Sequence, residues 1–396
     1  MNTMISVNII RRAGVFIIAA VVAGALVGIA PGGASASSCV SWTGVQPPNP
    51  SSSVNILSSV AVLSSCNAWA VGSYFNGTAR QTLIEHWNGS SWKQVPSPNP
   101  ASANELDSVT ATSSTNIWAV GFYYNGTADQ TLIEHWNGSS WKQVASPNPG
   151  GSSSDNTLYS VTATSARNAW AVGFFDNPNG DPLKTLVLHW NGTAWRPVAS
   201  PSPAGFNELR GVAATSARNA WAVGFYFTNG KQKTLAEHWN GTAWKRVTSL
   251  NPSPDSSFQV LDGVAATSAR NAWAVGSYFN GTADQTLIEH WNGTAWKRVA
   301  SPSPGGNAIS LNAVAATSPG NAWAVGDYNH IFGAPLQTLV LHWNGTAWKH
   351  VASPNPGGSS HDNSLSGVAA TSPTSIWAVG SYSNGTATQT LALHCC

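Results

Sequence analysis

Short apolar and polar runs recur along the chain with a period near fifty residues, and no stretch of useful length carries the 3.6-residue period of a helix. The second period shows the pattern. Residues 106–112 are small and β-branched, 116–123 and 131–136 are largely apolar, and 139–144 follow Asn137-Gly138. These runs predict four strands, a to d. In strand c, Leu132, Glu134 and Trp136 face one way, and Ile133 and His135 the other. Both faces are mostly apolar, which implies a sheet packed between two others. Strand a is built from small residues, as in Gly211-Val212-Ala213-Ala214-Thr215, and suits a crowded inner position. Asn-Gly predicts a c–d hairpin with positive φ at both central residues. The Ser-Pro-Asn-Pro that follows strand d stops the ladder, because proline has no N–H to donate.

The pattern repeats seven times. Trp69, Trp118, Trp170, Trp221, Trp273, Trp323 and Trp377 each open a Trp-Ala-Val-Gly, spaced 49 to 54 residues apart. Each is followed by Thr-Leu-x-x-His, and in six units by Trp-Asn-Gly-[Ser/Thr]-x-Trp. Four short strands per unit, seven times over, predict an all-β, seven-bladed β-propeller with four-stranded antiparallel blades. The blades fall at about 54–100, 101–149, 150–203, 204–254, 255–304, 305–356 and 357–396. The last blade lacks strand d, because the chain stops at His394-Cys395-Cys396. The missing strand lies at the other end. Residues 39–45, followed by Pro47-Pro48-Asn49-Pro50, match 89–95 and the proline segment after it. Trp42 is then the seventh outer tryptophan, and residues 37–50 close the ring.

Trp-Ala-Val-Gly followed by a turn-then-Trp hairpin resembles the repeat of bacterial BNR/Asp-box propellers and of photosystem II assembly-factor propellers. The His-Trp-Asn-Gly-x-x-Trp element is similar to seven-bladed bacterial lectins and kelch-like propellers. The resemblance covers residues 37–396 and implies the propeller fold, not one activity. The Asp of an Asp-box is here Asn88, Asn137, Asn191, Asn240, Asn292 and Asn344, and the preceding Ser is absent.

Residues 1–36 read as an export signal. Arg11-Arg12 precede an uncharged apolar run over 13–30, Pro31-Gly32-Gly33 break it, and Ala34-Ser35-Ala36 has the form of a cleavage site. An uncleaved membrane anchor is the alternative, and the twin arginines leave the export route open. Cleavage leaves 360 residues with 16 Lys+Arg against 16 Asp+Glu, hence a neutral, secreted chain with no membrane contact. That neutrality argues against nucleic-acid binding, and a monomer is expected.

Aligned histidines (His86, His135, His189, His238, His290, His342, His394) sit one per blade and cannot converge on a metal. They read as hydrogen-bonded structural groups, and no metal or cofactor is expected. Glu85, Glu134, Glu237 and Glu289 share a slot with Leu188, Leu341 and Leu393, so the slot reads as an edge or packing position. No arginine cluster with a tyrosine nucleophile is evident, and no catalytic residue is assigned. The sequons at Asn76, Asn125 and Asn191 read as turns. Tyr74, Tyr123, Phe175, Tyr226, Tyr278, Tyr328 and Tyr382 occupy one aromatic slot, with inter-blade packing or sugar stacking as its two readings.

One slot differs in every blade: Ser58, Asp107, Tyr159, Arg210, Asp262, Asn312 and Ser366. These residues are expected to ring the channel mouth on the face of the d–a and b–c loops, and variable positions on a rigid scaffold suit ligand binding. That face should be acidic, with 12 carboxylates against five cations, and the opposite face and outer strands cationic. The leading function is a non-catalytic binding or scaffold module for a glycan. A protein-interaction scaffold at the envelope and a secreted glycoside hydrolase or lyase are the alternatives. Cys39 falls at the Gly89 position and Cys396 at the Asn88 position of the interrupted c–d turn, so a Cys39–Cys396 disulfide is expected, with Cys39–Cys395 as alternative. A Cys66–Cys395 bridge is a looser expectation.

Overall fold

The structure, a computed structural model, describes residues 41–176, 182–203, 205–253, 258–331 and 333–395. These form seven four-stranded antiparallel sheets, each ordered a-b-c-d, and one short 3-10 turn at Gly358–Ser360. In blade 1 the strands are Asn55–Ser64, Asn67–Phe75, Arg80–Trp87 and Trp92–Gln94. The inner strands of successive blades abut. A Cβ on Gly211 would lie 3.0 Å from Asp262 O, and one on Gly367 would lie 2.8 Å from Ser59 Cα. Small residues on strand a are therefore a packing requirement.

The seventh sheet joins the chain's two ends. Its a, b and c strands are Asn363–Ser372, Ser375–Ser383 and Thr388–Cys395, and its outer strand is Thr43–Gly44. Thr43 pairs with His394 and Gly44 with Leu393. Val45 N then donates to Ala392 O at 2.9 Å, as Val95 N donates to Ile84 O at 2.8 Å in blade 1. The following proline segment latches in the same way in both blades. Thr82 N donates to Asn99 Oδ1 (2.8 Å) and Thr390 N to Asn49 Oδ1 (2.7 Å).

Each inner tryptophan is the hub of a blade–blade contact. Trp69 stacks on its own His86 at 4.3 Å and receives Trp136 and Trp141 of the next blade at 4.9 and 5.6 Å. Trp42 meets Trp323 edge-on at 5.6 Å, where Trp92 meets Trp377 at 4.9 Å. Such aromatic pairs contribute roughly 0.5–1.5 kcal/mol each beyond area burial. In blade 7 the place of Trp87 is taken by Cys395, which is buried in the core around Trp323.

Two expectations are corrected. The c–d turn is a four-residue loop, with Asn137 N bonded to Ser140 O and strand d starting at Trp141. Gly138 has φ 100°, and Asn137 does not take positive φ. Asn137 Oδ1 instead accepts the N–H groups of Ser139 and Ser140 at 3.0 and 3.1 Å. This side-chain acceptor replaces the two-residue mirror turn. The same device closes b–c loops at Asn76 and Asn125, which explains the recurring sequons. Second, Cys66 is a free, exposed thiol, so the Cys66–Cys395 bridge is not formed. Cys39 and Cys396 lie outside the described residues. Cys395 Sγ lies 3.0 Å from Ser41 O, beside the closing segment.

Candidate functional site

Strand a begins on the face that carries the d–a and b–c loops. Three residues into blade 1's strand a, the a–b ladder slips: Leu57 pairs with Gly72 and Ser59 with Val71, which leaves Ser58 unpaired. The same bulge recurs at Asp107, Tyr159, Arg210, Asp262, Asn312 and Ser366. A bulge re-aims its extra side chain. Seven bulges around the ring turn the seven variable side chains onto one pocket of 340 Å³, which Glu208 also lines. A second space of 190 Å³ continues into the channel between Ser59, Ser108, Ser160 and their small counterparts.

The glycine of Trp-Ala-Val-Gly makes each bulge possible. A Cβ on Gly72 would lie 2.0 Å from Ile56 O, and one on Gly224 would lie 1.9 Å from Glu208 O. An isolated glycine in a strand signals a bulge or a close backbone approach. Here the glycine is on strand b and the bulge on strand a, so the signal points one strand away from the residues it serves.

Arg210 is fully committed within the mouth. Its Nε donates to Glu208 Oε1 at 2.8 Å, its Nη1 to Asp262 Oδ1 at 2.7 Å, and its guanidinium lies 5.0 Å over Phe225. Burial alone would lower its pKa, but the two carboxylates outweigh that and hold it charged. Asp107 has no such partner, and its Oδ2 is buried without a hydrogen bond. Burial first, then Glu105, pushes the Asp107 pKa well up, with Arg80 opposing. Arg80 itself is ion-paired to Glu105. Across the mouth, Asn312 Nδ2 donates to Asp327 Oδ2 (3.1 Å) and Leu365 O (2.9 Å), and Ser364 Oγ donates to Asp327 at 2.6 Å. Glu208 and Asp327 were missed in the sequence, because their role depends on the bulge geometry. The mouth is thus a preorganised polar rim with more carboxylates than cations among the described residues.

The described charges segregate by face. The mouth side carries eight Asp with Glu105 and Glu208, against Arg80, Lys184, Arg210, Lys231 and Lys233. Lysines and arginines of strands d lie along the outer edge and those of the a–b turns on the opposite face. The four glutamates of strands c, Glu85, Glu134, Glu237 and Glu289, are completely buried. Burial pushes the Glu85 pKa up to about 9. Glu289 is held lower, about 8, by a backbone hydrogen bond that opposes burial. Its Oε1 accepts Leu250 N at 3.1 Å. Leu250 stands where other blades carry Pro98, Pro147 or Pro201, which have no N–H to offer. The slot is a packing position.

Six histidines are spoken for by their own blades. His135 Nε2 bonds Asn116 Oδ1 at 2.8 Å, and the pattern repeats from His86–Asn67 to His342–Asn321. In blade 7 Ser375 replaces that asparagine, and His394 Nε2 has no partner. Among the described residues no group of three or more metal-ligating side chains is assembled.

All seven residues of the aromatic slot pack against inter-blade cores. Arg246 and Arg298 lie over Tyr226 and Tyr278 at 4.5 and 4.9 Å, so those rings are already covered. Tyr74 and Phe175 line open flank pockets of 310 and 450 Å³.

No family model and no curated protein matches this chain. Solved structures do. A structure of YCF48 bound to a D1 peptide superposes with a TM-score of 0.55 at 14% identity, over 89% of this chain and 96% of that one. YCF48 from Cyanidioschyzon merolae gives 0.52 at 13%, over 90% and 98%. A polysaccharide lyase, an ulvan lyase bound to -[GlcA(1-4)Rha3S]-, gives 0.52 at 12%, over 83% and 90%. At these identities the likeness is one of fold.

Proposed function

We propose that this chain is a secreted, non-catalytic binding module that takes its ligand at the channel mouth on the acidic face. One observation carries the reading: seven bulges present seven variable side chains to one pocket, while the rest of each blade repeats. Evolvable positions on a rigid frame suit recognition. Secretion rests on the leader read in residues 1–36. Both ligand classes occur on this fold: YCF48 is seen with a D1 peptide and the ulvan lyase with an oligosaccharide. A neutral glycan fits the polar rim, whereas an anionic one meets Asp107, Glu208 and Asp262. A protein partner is favoured by the exposed aromatic side chains beside the mouth, Phe206 and Phe258.

The test uses Arg210→Ala with Asp262→Ala, compared with Asn137→Ala in a c–d turn on the other face. Binding to immobilised envelope glycans and envelope peptides should be lost in the first variant and kept in the second. The reverse outcome places the site on the wrong face.

A further inference from the structure

We infer that the partner is a cationic peptide segment bearing apolar side chains, on the premise that the mouth is the binding surface. Three features of one face converge on this chemistry. The first is charge. The mouth side holds ten described carboxylates against five cations, and the ion pairs of Arg80 and Arg210 engage Glu105, Glu208 and Asp262 among them. The second is apolar exposure. Among the described residues the exposed large hydrophobics are Phe75, Tyr124, Phe206, Phe258 and Ile331. Phe75 and Tyr124 end strands b, Phe206 and Phe258 directly precede strands a, and Ile331 lies in a b–c loop. All five therefore belong to the mouth face and none to the cationic face.

The third feature is that the two properties meet in one place. Phe258 lines a 210 Å³ pocket together with Arg210, Asp262, Asp284, Asn312 and Asp327. Phe206 stacks on Phe225 at 5.9 Å, and Phe225 carries the Arg210 guanidinium. An aromatic side chain beside Asp284, with Asp327 held by Asn312 and Ser364 and Asp262 paired to Arg210, fits an ammonium or guanidinium next to an apolar group. A neutral sugar would leave the surplus negative charge uncompensated, and an anionic one would add to it.

The experiment titrates the secreted chain with a capped pentapeptide alternating lysine and phenylalanine. Its glutamate–phenylalanine counterpart and maltopentaose serve as comparators. The lysine peptide should bind, with affinity falling about tenfold or more from low to high salt as screening grows. Phe206→Ser with Phe258→Ser should weaken it about tenfold, and Asp284→Asn should reduce the salt dependence. Thermal melts check that each variant is folded. If maltopentaose or the glutamate peptide binds instead and the mouth variants abolish that binding, the partner class is wrong and the mouth stands as the site. If the lysine peptide binds but only variants of c–d turns affect it, the site itself is wrong. No binding by the lysine peptide also overturns the inference.

Discussion

Glu85, Glu134 and Glu237 place carboxyl groups between blades with no hydrogen-bond partner, and Glu289 has one on a single oxygen. In the same slot three other blades carry leucine. The folded-state pKa of these groups is raised by burial. Their contribution to stability is therefore complete below the unfolded carboxyl value and is lost as pH rises through the folded value. The buried histidines act with the opposite sign, since burial lowers their pKa and their contribution is lost as pH falls. Above about pH 7.5 the histidines are neutral in both states and the carboxyls alone act, each costing on the order of 1 kcal/mol per pH unit. The Tm should fall steadily from about pH 7.5 to pH 9. Glu85→Leu, which copies Leu188, should raise Tm at pH 9 more than at pH 5, measured by thermal melts. An equal shift at both pH values would contradict the account. The slot was read in the sequence as an edge or packing position, since either glutamate or leucine fills it. Its degree of burial was not legible, because that depends on which face of strand c meets the neighbouring blade.

At the scale of the strand, the glycine of strand b and the bulge of strand a form one device. Gly224→Ala would set a Cβ 1.9 Å from Glu208 O, directly under the bulge that aims Arg210. The expected cost is roughly 1–3 kcal/mol, in the range for overpacking. Gly77→Ala has open space but positive φ, so it is strained for a different reason. Gly44→Ala has neither problem and is the control. Denaturant titration of the three should rank Gly224→Ala below Gly44→Ala in stability, and equality of the two would remove the glycine–bulge link. Strand number, strand order and inner position were all legible from period and residue size. The turn was misjudged because Asn-Gly fits both a two-residue mirror turn and a four-residue loop. What separates them is an acceptor bond from Asn Oδ1 to two N–H groups, which leaves no spacing of its own in the sequence.

At the scale of the whole molecule, the ring is shut by a strand of two residues, Thr43–Gly44, with Trp42 ahead of it and the Gln46–Asn49 latch behind. Trp42→Ala should cost about 3–5 kcal/mol, as expected for a large core cavity, and should match Trp92→Ala, its counterpart in a covalently continuous blade. A Cys39–Cys396 bridge, or Cys39–Cys395, would tie the closing segment to the last blade and stabilise the fold by roughly 2–5 kcal/mol. Non-reducing peptide mapping should find the Cys39 peptide linked to the C-terminal one and Cys66 alkylated. Closure was legible because the missing strand and the surplus strand share a tryptophan and a proline segment. The ligand was not, because only the bulges reveal which side chains converge. In the proposed function the mouth is the working surface. Hydrogen–deuterium exchange with and without saturating lysine–phenylalanine peptide tests it most directly. Protection is predicted in the opening residues of the seven a strands, around Ser58, Asp107, Tyr159, Arg210, Asp262, Asn312 and Ser366. Protection confined to the c–d turns or to the flank pockets at Tyr74 and Phe175 would contradict it.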